Sequence, residues 1–112
     1  YLDCLGIHGI NTWEHLDLVQ QPYGCMQAVR EAVADGKIKH VGFSTHAPLE
    51  VILAAIATDL FEFVNLHYYY FFQRHAPAIE LAHTQDMGVF IISPADKGGR
   101  LYTPPQALKD LC

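Results

Sequence analysis

The stretch FEFVNLHYYY, from Phe61 to Tyr70, carries the pattern on which the fold prediction depends. It is a run of β-forming residues that ends in polar and aromatic side chains, which is typical of a strand that places functional groups at its carboxyl end. Three other stretches follow the same plan, each separated from the next by a helix-like segment: Tyr1–His8, Ile38–His46 and Gly88–Ser93. This alternation predicts an α/β fold with a parallel sheet, whose chemistry gathers at one edge.

Most of the segments between these strands are predicted to be helices. Pro22–Asp35 has apolar residues at helical spacing and is followed by Gly36, which suits a left-handed helix stop. Pro48 and Pro77 each suit the first position of a further helix. Gly9–Gln21, in contrast, is predicted to be a long polar loop. The strands themselves are nearly continuously apolar, which predicts a sheet covered on both faces.

The length of the chain limits how much of such a fold it can contain. A whole (β/α)8 barrel takes about 250 residues, and the four strand units here fit in 112 residues. We therefore predict one domain over residues 1–112, a partial (β/α)8 TIM barrel of about four parallel strands with intervening helices. Tyr1 lies directly in a strand pattern, and Gln106–Cys112 begins a helix-like segment and stops, so the barrel is expected to continue beyond both ends.

Charge and cysteine content narrow the classes of partner and compartment. The formal net charge is −5 and the basic residues are scattered, which argues against nucleic acid and anionic membrane as partners. No apolar run approaches the ~20 residues of a membrane span. The three cysteines form no CxxC pair, and their odd number cannot close a disulfide set, so a reduced, cytoplasmic setting is expected. Cys4 and Cys25 are predicted to be buried packing residues.

Strand parity predicts a polar rim at the carboxyl ends of the strands, since alternate residues share a face. The predicted members of this rim are His8, Ser44, His46, Asn65, His67 and Ser93. Such a rim fits two chemistries. His8, His46 and His67 could bind a metal as in metal-dependent hydrolases, although no carboxylate stands at a strand end and no HxH or HExxH spacing occurs. Alternatively, a histidine and short polar groups could bind a carbonyl substrate and the amide of a nicotinamide.

Four segments taken together resemble the aldo/keto reductase superfamily: YLDCLGIHGIN from Tyr1, GKIKHVGFSTH from Gly36, FVNLHYYYFFQR from Phe63 and MGVFIISPADKGG from Met87. In that order they would be the fourth to seventh strands of the family's barrel. The resemblance extends from Tyr1 to Pro105. It implies an oxidoreductase that reduces aldehydes or ketones to alcohols with NADPH, or with NADH. The implied partners are therefore a nicotinamide cofactor and a small carbonyl substrate.

The resemblance also implies a role for individual residues. His8 matches the family's active-site histidine, which orients the substrate carbonyl. Ser44 matches a serine that binds the nicotinamide carboxamide. The next residue, Thr45, is a shorter donor at a position where the family often has an Asn, and Asn65 stands where the family commonly has a Gln for the same group. Ile92 matches the position that packs against the nicotinamide, and the loop after it resembles the one that runs over the cofactor pyrophosphate. The candidate cofactor-binding residues of that loop are Ser93, Pro94, Lys97 and Gly98.

The family's catalytic tetrad also contains a Tyr proton donor, a Lys that lowers its pKa and an Asp that holds the Lys, and none of these is matched by the four segments. Loss of one placed donor to the developing alkoxide typically costs about 100–1000-fold in rate. The chain alone is therefore expected to be nearly inactive. A third hypothesis is a non-catalytic half-barrel that self-associates through its unpaired sheet edges.

Overall fold

The computed structural model describes residues 1–111, which form one parallel sheet with helices between successive strands. The strands are β1 (Leu2–Ile7), β2 (Ile38–Ser44), β3 (Phe63–His67) and β4 (Gly88–Ile92). They lie in the sheet in chain order, and every neighbouring pair is parallel. The predicted α/β arrangement of four parallel strands with intervening helices is confirmed.

Four helices connect the strands and a short one follows them. These are α1 (Trp13–Gln20), α2 (Cys25–Ala34), α3 (Leu49–Ile56), α4 (Ala76–Thr84) and α5 (Gln106–Lys109), with a 3-10 segment at Lys97–Tyr102. Helix α1 contacts α2 and α3, and α3 contacts α4, so these helices form one connected layer. The core lies between this layer and one face of the sheet, where Phe43, Val64 and Leu66 are fully buried.

The opposite face of the sheet, here called the inner face, is largely open within residues 1–111. Strand register places these residues on it: Cys4, Gly6, Gly42, Ser44, Phe63, Asn65, His67, Gly88, Phe90 and Ile92. Cys4 is exposed and Phe90 is 59% exposed. The prediction that the sheet is covered on both faces is therefore wrong for the described residues, because the connected helices pack on one side only.

Glycines on three strands of the inner face make room for a single aromatic ring. Gly6, Gly42 and Gly88 each lie beside the Phe63 side chain, and a Cβ added to Gly42 would overlap the Phe63 ring. Phe90 meets the same ring edge-on, with 6.0 Å between ring centroids. Phe63, the first residue of β3, therefore fills the space beside these three glycines, two residues before Asn65.

The segment Gly9–Gln21 contains helix α1 and is not the loop that was predicted. Thr12 caps the helix, since its hydroxyl accepts the His15 N–H at 3.2 Å. Leu16 and Val19 then point into the core at helical spacing. The cap and this spacing were present in the sequence, but Asn11, Trp13 and Glu14 made the stretch appear polar.

Several element ends differ from the predicted bounds. Strand β3 is Phe63–His67, shorter than Phe61–Tyr70, because the chain turns back after His67 and the backbones of Tyr69 and Phe72 pair with each other. The left-handed stop predicted at Gly36 is confirmed by its φ of 71°. The helix predicted over Pro22–Asp35 begins later, at Cys25, after a turn.

The two described cysteines are exposed, so the prediction that they are buried is wrong. Cys4 lies on the open inner face of β1, and Cys25 is the first residue of α2. Cys112 lies outside the described residues. Among residues 1–111 there is no helix whose length and apolar character would let it cross a membrane.

Candidate functional site

His8 and Ser44 are in contact at the carboxyl edge of the sheet, as the rim prediction requires. Oγ of Ser44 lies 3.0 Å from Nδ1 of His8 and also accepts the Gly9 N–H at 3.1 Å. The Ser44 carbonyl accepts the N–H groups of Gly9 and Ile10 at 3.1 Å each. The end of β2 therefore holds the turn that follows β1, and this fixes where the His8 imidazole stands.

Asn65 is the neighbour of Ser44 on the next strand. The two residues are register partners between β2 and β3, so their side chains share the inner face. Asn65 Oδ1 is buried and has no hydrogen-bond partner within residues 1–111. A buried amide oxygen without a donor costs about 1–3 kcal/mol, and a bound N–H group would remove that cost. The three residues that were predicted to meet, His8, Ser44 and Asn65, are thus brought together.

Thr45 lies beneath this cluster and not on it. Its side chain is 1% exposed, and its hydroxyl donates to the Ile10 carbonyl at 2.7 Å and accepts the Ala47 N–H at 3.0 Å. The hydroxyl proton is used inside the chain, and burial keeps a ligand away from the remaining lone pair. The expectation that Thr45 bonds the carboxamide does not fit this geometry, and its role is to tie the turn after β1 to the end of β2.

A cavity of about 390 Å³ opens beside this cluster, between the ends of β2, β3 and β4. It is lined by His46, Ala47, Pro48, His67, Phe72, His75, Asp96 and Lys97. Partial desolvation lowers the pKa of His46 below its ordinary value, and the positive charge of Lys97 lowers it further. This cavity, here called the rim cavity, joins two of the predicted rim histidines to the loop after β4.

His67 and His75 are the buried polar residues of the rim cavity. Nδ1 of His75 lies 2.8 Å from the His67 carbonyl oxygen, which joins the start of α4 to the end of β3. The His67 ring stacks on Phe72 at 4.6 Å between centroids and on Tyr69 at 5.2 Å. Nε2 of His67 is buried and has no partner among the described residues. His75 is 5% exposed, and nothing in the sequence pattern indicated that it would be buried.

The remaining predicted cofactor-binding residues lie at the end of β4 and in the loop after it. Ile92 is half-buried on the inner face and is the register partner of His67. Ser93 has a positive φ of 53°, and Pro94 is exposed. Gly98 also has a positive φ, of 71°, with open space where a Cβ would stand. Of the predicted loop residues, Lys97 is the one that lines the rim cavity.

Asp96 organises this loop although the sequence pattern did not single it out as a site residue. Its Oδ1 accepts the Lys97 N–H at 2.7 Å. Desolvation raises the pKa of Tyr69, and the negative charge of the nearby Asp96 carboxylate raises it further. Asp96 thus connects the loop after β4 to the turn after β3. It stands four residues past Ile92, the last residue of β4, which is why strand parity could not place it.

The histidines proposed as metal ligands do not form a metal-binding group. His8 bonds to Ser44, whereas His67 lies among aromatic rings of the rim cavity. Across residues 1–111, no three side chains of His, Cys, Asp or Glu are arranged to hold a metal ion. The metal-dependent hydrolase hypothesis therefore has no supporting ligand geometry here.

A scan against protein-family models, a search of curated proteins and a search of solved structures each found no match to this chain.

Proposed function

We propose that the chain is part of an oxidoreductase of aldo/keto reductase type, which reduces aldehydes or ketones with NADPH or NADH. The observation that carries the proposal is the contact between His8 and Ser44 at 3.0 Å, with the unpartnered Oδ1 of Asn65 on the neighbouring strand. A donor for a carbonyl oxygen and an acceptor for an amide N–H then stand side by side. This pairing is what a carbonyl substrate next to a nicotinamide carboxamide requires.

The fold supports the proposal that these strands belong to a (β/α)8 barrel. A barrel wall has its helices on one side of a parallel sheet, whereas a doubly wound sheet has them on both. The connected helix layer and the open inner face agree with a barrel wall. The inner face would then be the barrel interior, and the rim would be its mouth.

His8 is proposed to orient the substrate carbonyl. The Ser44 hydroxyl already accepts the Gly9 N–H, so we assign its proton to the bond with Nδ1 of His8. The neutral imidazole then carries its proton on Nε2, which is free to donate to a carbonyl oxygen. A nicotinamide cofactor would supply the hydride. His8 stabilises the negative charge that develops on the oxygen, which is the kind of interaction that accelerates the chemical step.

Asn65 and Ser44 are proposed to hold the carboxamide of the cofactor. Asn65 Oδ1 is the acceptor for the amide N–H, because it is the buried oxygen that lacks a donor within residues 1–111. Ser44 Oγ keeps one lone pair after it accepts the Gly9 N–H and donates to His8. Thr45 supports this pair from below through its bonds to Ile10 and Ala47.

The proposal is tested by fluorescence titration with NADPH and with its 3-acetylpyridine analogue, which has no amide N–H to donate. The chain is expected to bind NADPH weakly and the analogue more weakly, by on the order of tenfold for one hydrogen bond to a buried acceptor. Asn65→Leu should remove this preference and Ser44→Ala should weaken both ligands. Gln27→Leu, on the exposed surface of α2, is the matched control.

Two results would overturn the assignment. One is equal binding of both cofactors by the unmodified chain. The other is a preference for NADPH that survives Asn65→Leu. Absence of any binding by either cofactor at millimolar concentration would remove the nicotinamide proposal itself.

A further inference from the structure

We infer that a cavity on the helix side of the chain binds an apolar amino acid, whose carboxylate pairs with Arg30 and whose ammonium group pairs with Glu31. The cavity measures about 350 Å³, within the usual range of about 300–1,000 Å³ for small-molecule sites. It is formed by the end of α1, the first two turns of α2 and the turn between α3 and β3. The inference does not depend on the proposed oxidoreductase activity, because none of the proposed cofactor-binding residues lines this cavity.

The walls of this cavity are held in place by the turn between α1 and α2. The Gly24 N–H donates to the Gln21 carbonyl at 2.9 Å, and the Gln21 N–H donates to the Asp17 carbonyl at 3.1 Å. The turn is so tight that a Cβ at Gly24 would overlap the Leu18 carbonyl oxygen. These contacts fix the end of α1 against the start of α2. The cavity is therefore formed before a ligand arrives, as is usual for small-molecule sites.

Val19, Met26 and Leu60 give the cavity an apolar surface, and each comes from a different one of its three elements. Val19 and Met26 are 5% exposed and belong to the core, so this surface is part of the packed interior of the helix layer. Leu60 is half-buried. An aliphatic side chain that lies against these residues is removed from water together with them, which favours binding.

Arg30 and Glu31 supply one positive and one negative charge to the same cavity. Adjacent residues of a helix do not face each other, which keeps the two charges apart. Across residues 1–111 neither side chain forms a salt bridge within 4.0 Å. Oε1 of Glu31 accepts the Gln27 amide at 3.1 Å, which positions the carboxylate. Both charges are therefore available to a ligand in the cavity.

This pair of charges determines the class of ligand. A ligand of one sign would be attracted by one of the two residues and repelled by the other, whereas a ligand that carries both signs side by side pairs with both. The α-carboxylate and α-ammonium groups of a free amino acid have this arrangement. The guanidinium of Arg30 can bind the carboxylate with two parallel N–H donors, and the apolar surface of the cavity then favours an aliphatic side chain on the ligand.

The test uses L-leucine as the probe and the ¹³C-methyl signals of the methionines as the readout. The chain has 2 methionines, and Met26 lines the cavity whereas Met87 does not. Leucine should shift the Met26 signal along a saturable curve and leave the Met87 signal in place.

Two substitutions remove the proposed charge pairs one at a time. Arg30→Gln and Glu31→Gln should each weaken leucine binding by on the order of tenfold, as expected for one charge-assisted hydrogen bond. Arg74→Gln, at a cation that lies over Phe72 and not in the cavity, is the matched control for the first. Glu80→Gln, on the exposed surface of α4, is the matched control for the second. An unchanged Met87 signal shows in each variant that the fold is retained.

Three further ligands each lack one part of leucine. Isocaproate has no ammonium group, isoamylamine has no carboxylate and glycine has no apolar side chain, so each should bind more weakly than leucine by roughly tenfold or more. The inference fails if leucine leaves the Met26 signal unchanged, or if any of the three binds as tightly as leucine. It also fails if Arg30→Gln or Glu31→Gln binds leucine as the unmodified chain does. Failure here would leave the NADPH titration and its Asn65 variant unaffected.

Discussion

Nδ1 of His75 donates to the His67 carbonyl oxygen at 2.8 Å, across eight residues of chain. This bond joins the first turn of α4 to the last residue of β3 in a buried position. The ring of His75 also meets Phe72 edge-on, with 5.1 Å between centroids. One side chain therefore fixes both the end of the strand and the aromatic turn that follows it.

Replacing this histidine should measurably destabilise the fold. His75→Phe keeps an aromatic ring beside Phe72 but leaves the buried carbonyl without its donor, so we expect a loss of about 1–3 kcal/mol in the free energy of unfolding. Urea denaturation followed by circular dichroism measures it. His83→Phe, on the exposed face of α4, is the control and should stay within about 0.5 kcal/mol. Equal midpoints for the two variants would show that the His75 bond contributes nothing to stability.

Stability should fall as the pH is lowered, in part because of His46. Its pKa in the folded chain lies below the unfolded value of 6.5, first through desolvation and then through Lys97 and the neighbouring imidazoles. The unfolded chain therefore binds the proton more readily, so stability is lost as the pH falls through 6.5 toward the folded pKa. The imidazoles that face His46 are those of His67, His8 and His75.

The measurement is the melting temperature between pH 7.5 and pH 5. The melting temperature of His46→Gln should decrease less than that of the unmodified chain over this interval, because the variant lacks the imidazole whose pKa is lowered in the folded chain. His83→Gln serves as the matched variant and should follow the unmodified curve. An unchanged slope for His46→Gln would show that its lowered pKa does not contribute to the pH dependence of folding.

Thr45→Val tests the assignment of Thr45 as a support and not a ligand. The substitution keeps the shape but leaves the Ile10 carbonyl and the Ala47 N–H without the hydroxyl, so the free energy of unfolding should fall by about 1–3 kcal/mol. At a temperature where the variant is folded, its preference for NADPH over the acetylpyridine analogue should persist. Loss of that preference without loss of stability would show that Thr45 contacts the cofactor and is not only a structural support.

The chain is expected to self-associate, as its edge strands β1 and β4 each have one unpaired side in the described sheet. Phe90 is 59% exposed on the inner face and lies on one of these edges. Sedimentation velocity should show a sedimentation coefficient that increases with concentration, and Phe90→Lys should reduce this increase. Tyr23→Lys, at another exposed aromatic, is the control. A single monomeric species at all concentrations would contradict the expectation.

Strand parity correctly predicted that His8, Ser44 and Asn65 lie together. Alternate residues of a strand share one face, and parallel strands end at the same edge of the sheet, so the positions of residues at the strand ends follow from the sequence. Strand parity could not place Asp96, which lies in a loop, or predict that His75 is buried at the start of a helix. Thr45 also obeys strand parity. It comes directly after the rim residue Ser44, so its side chain points to the opposite side, into the core. The open inner face was missed because Phe63 and Phe90 make the strands apolar on both sides.

Helix α1 shows a different limit. A predicted helix needs enough apolar residues on one side, and eight residues with two buried positions provide a weak signal. The cap at Thr12 and the contacts of α1 with α2 and α3 stabilise it in the folded chain. Tertiary packing therefore determines that this segment is helical, as it does for most short helices.

The ring of Phe63 occupies the volume that a side chain at Gly42 would need, so position 42 has room only for glycine. A Cβ at Gly42 would also overlap the backbone carbonyl oxygen of Phe63, so a smaller side chain at position 63 would not make room for one at position 42. The same ring lies on the inner face, two residues before Asn65 on β3. A ligand bound against Ser44 and Asn65 would therefore have an aromatic ring next to it on the side of the strands' amino ends.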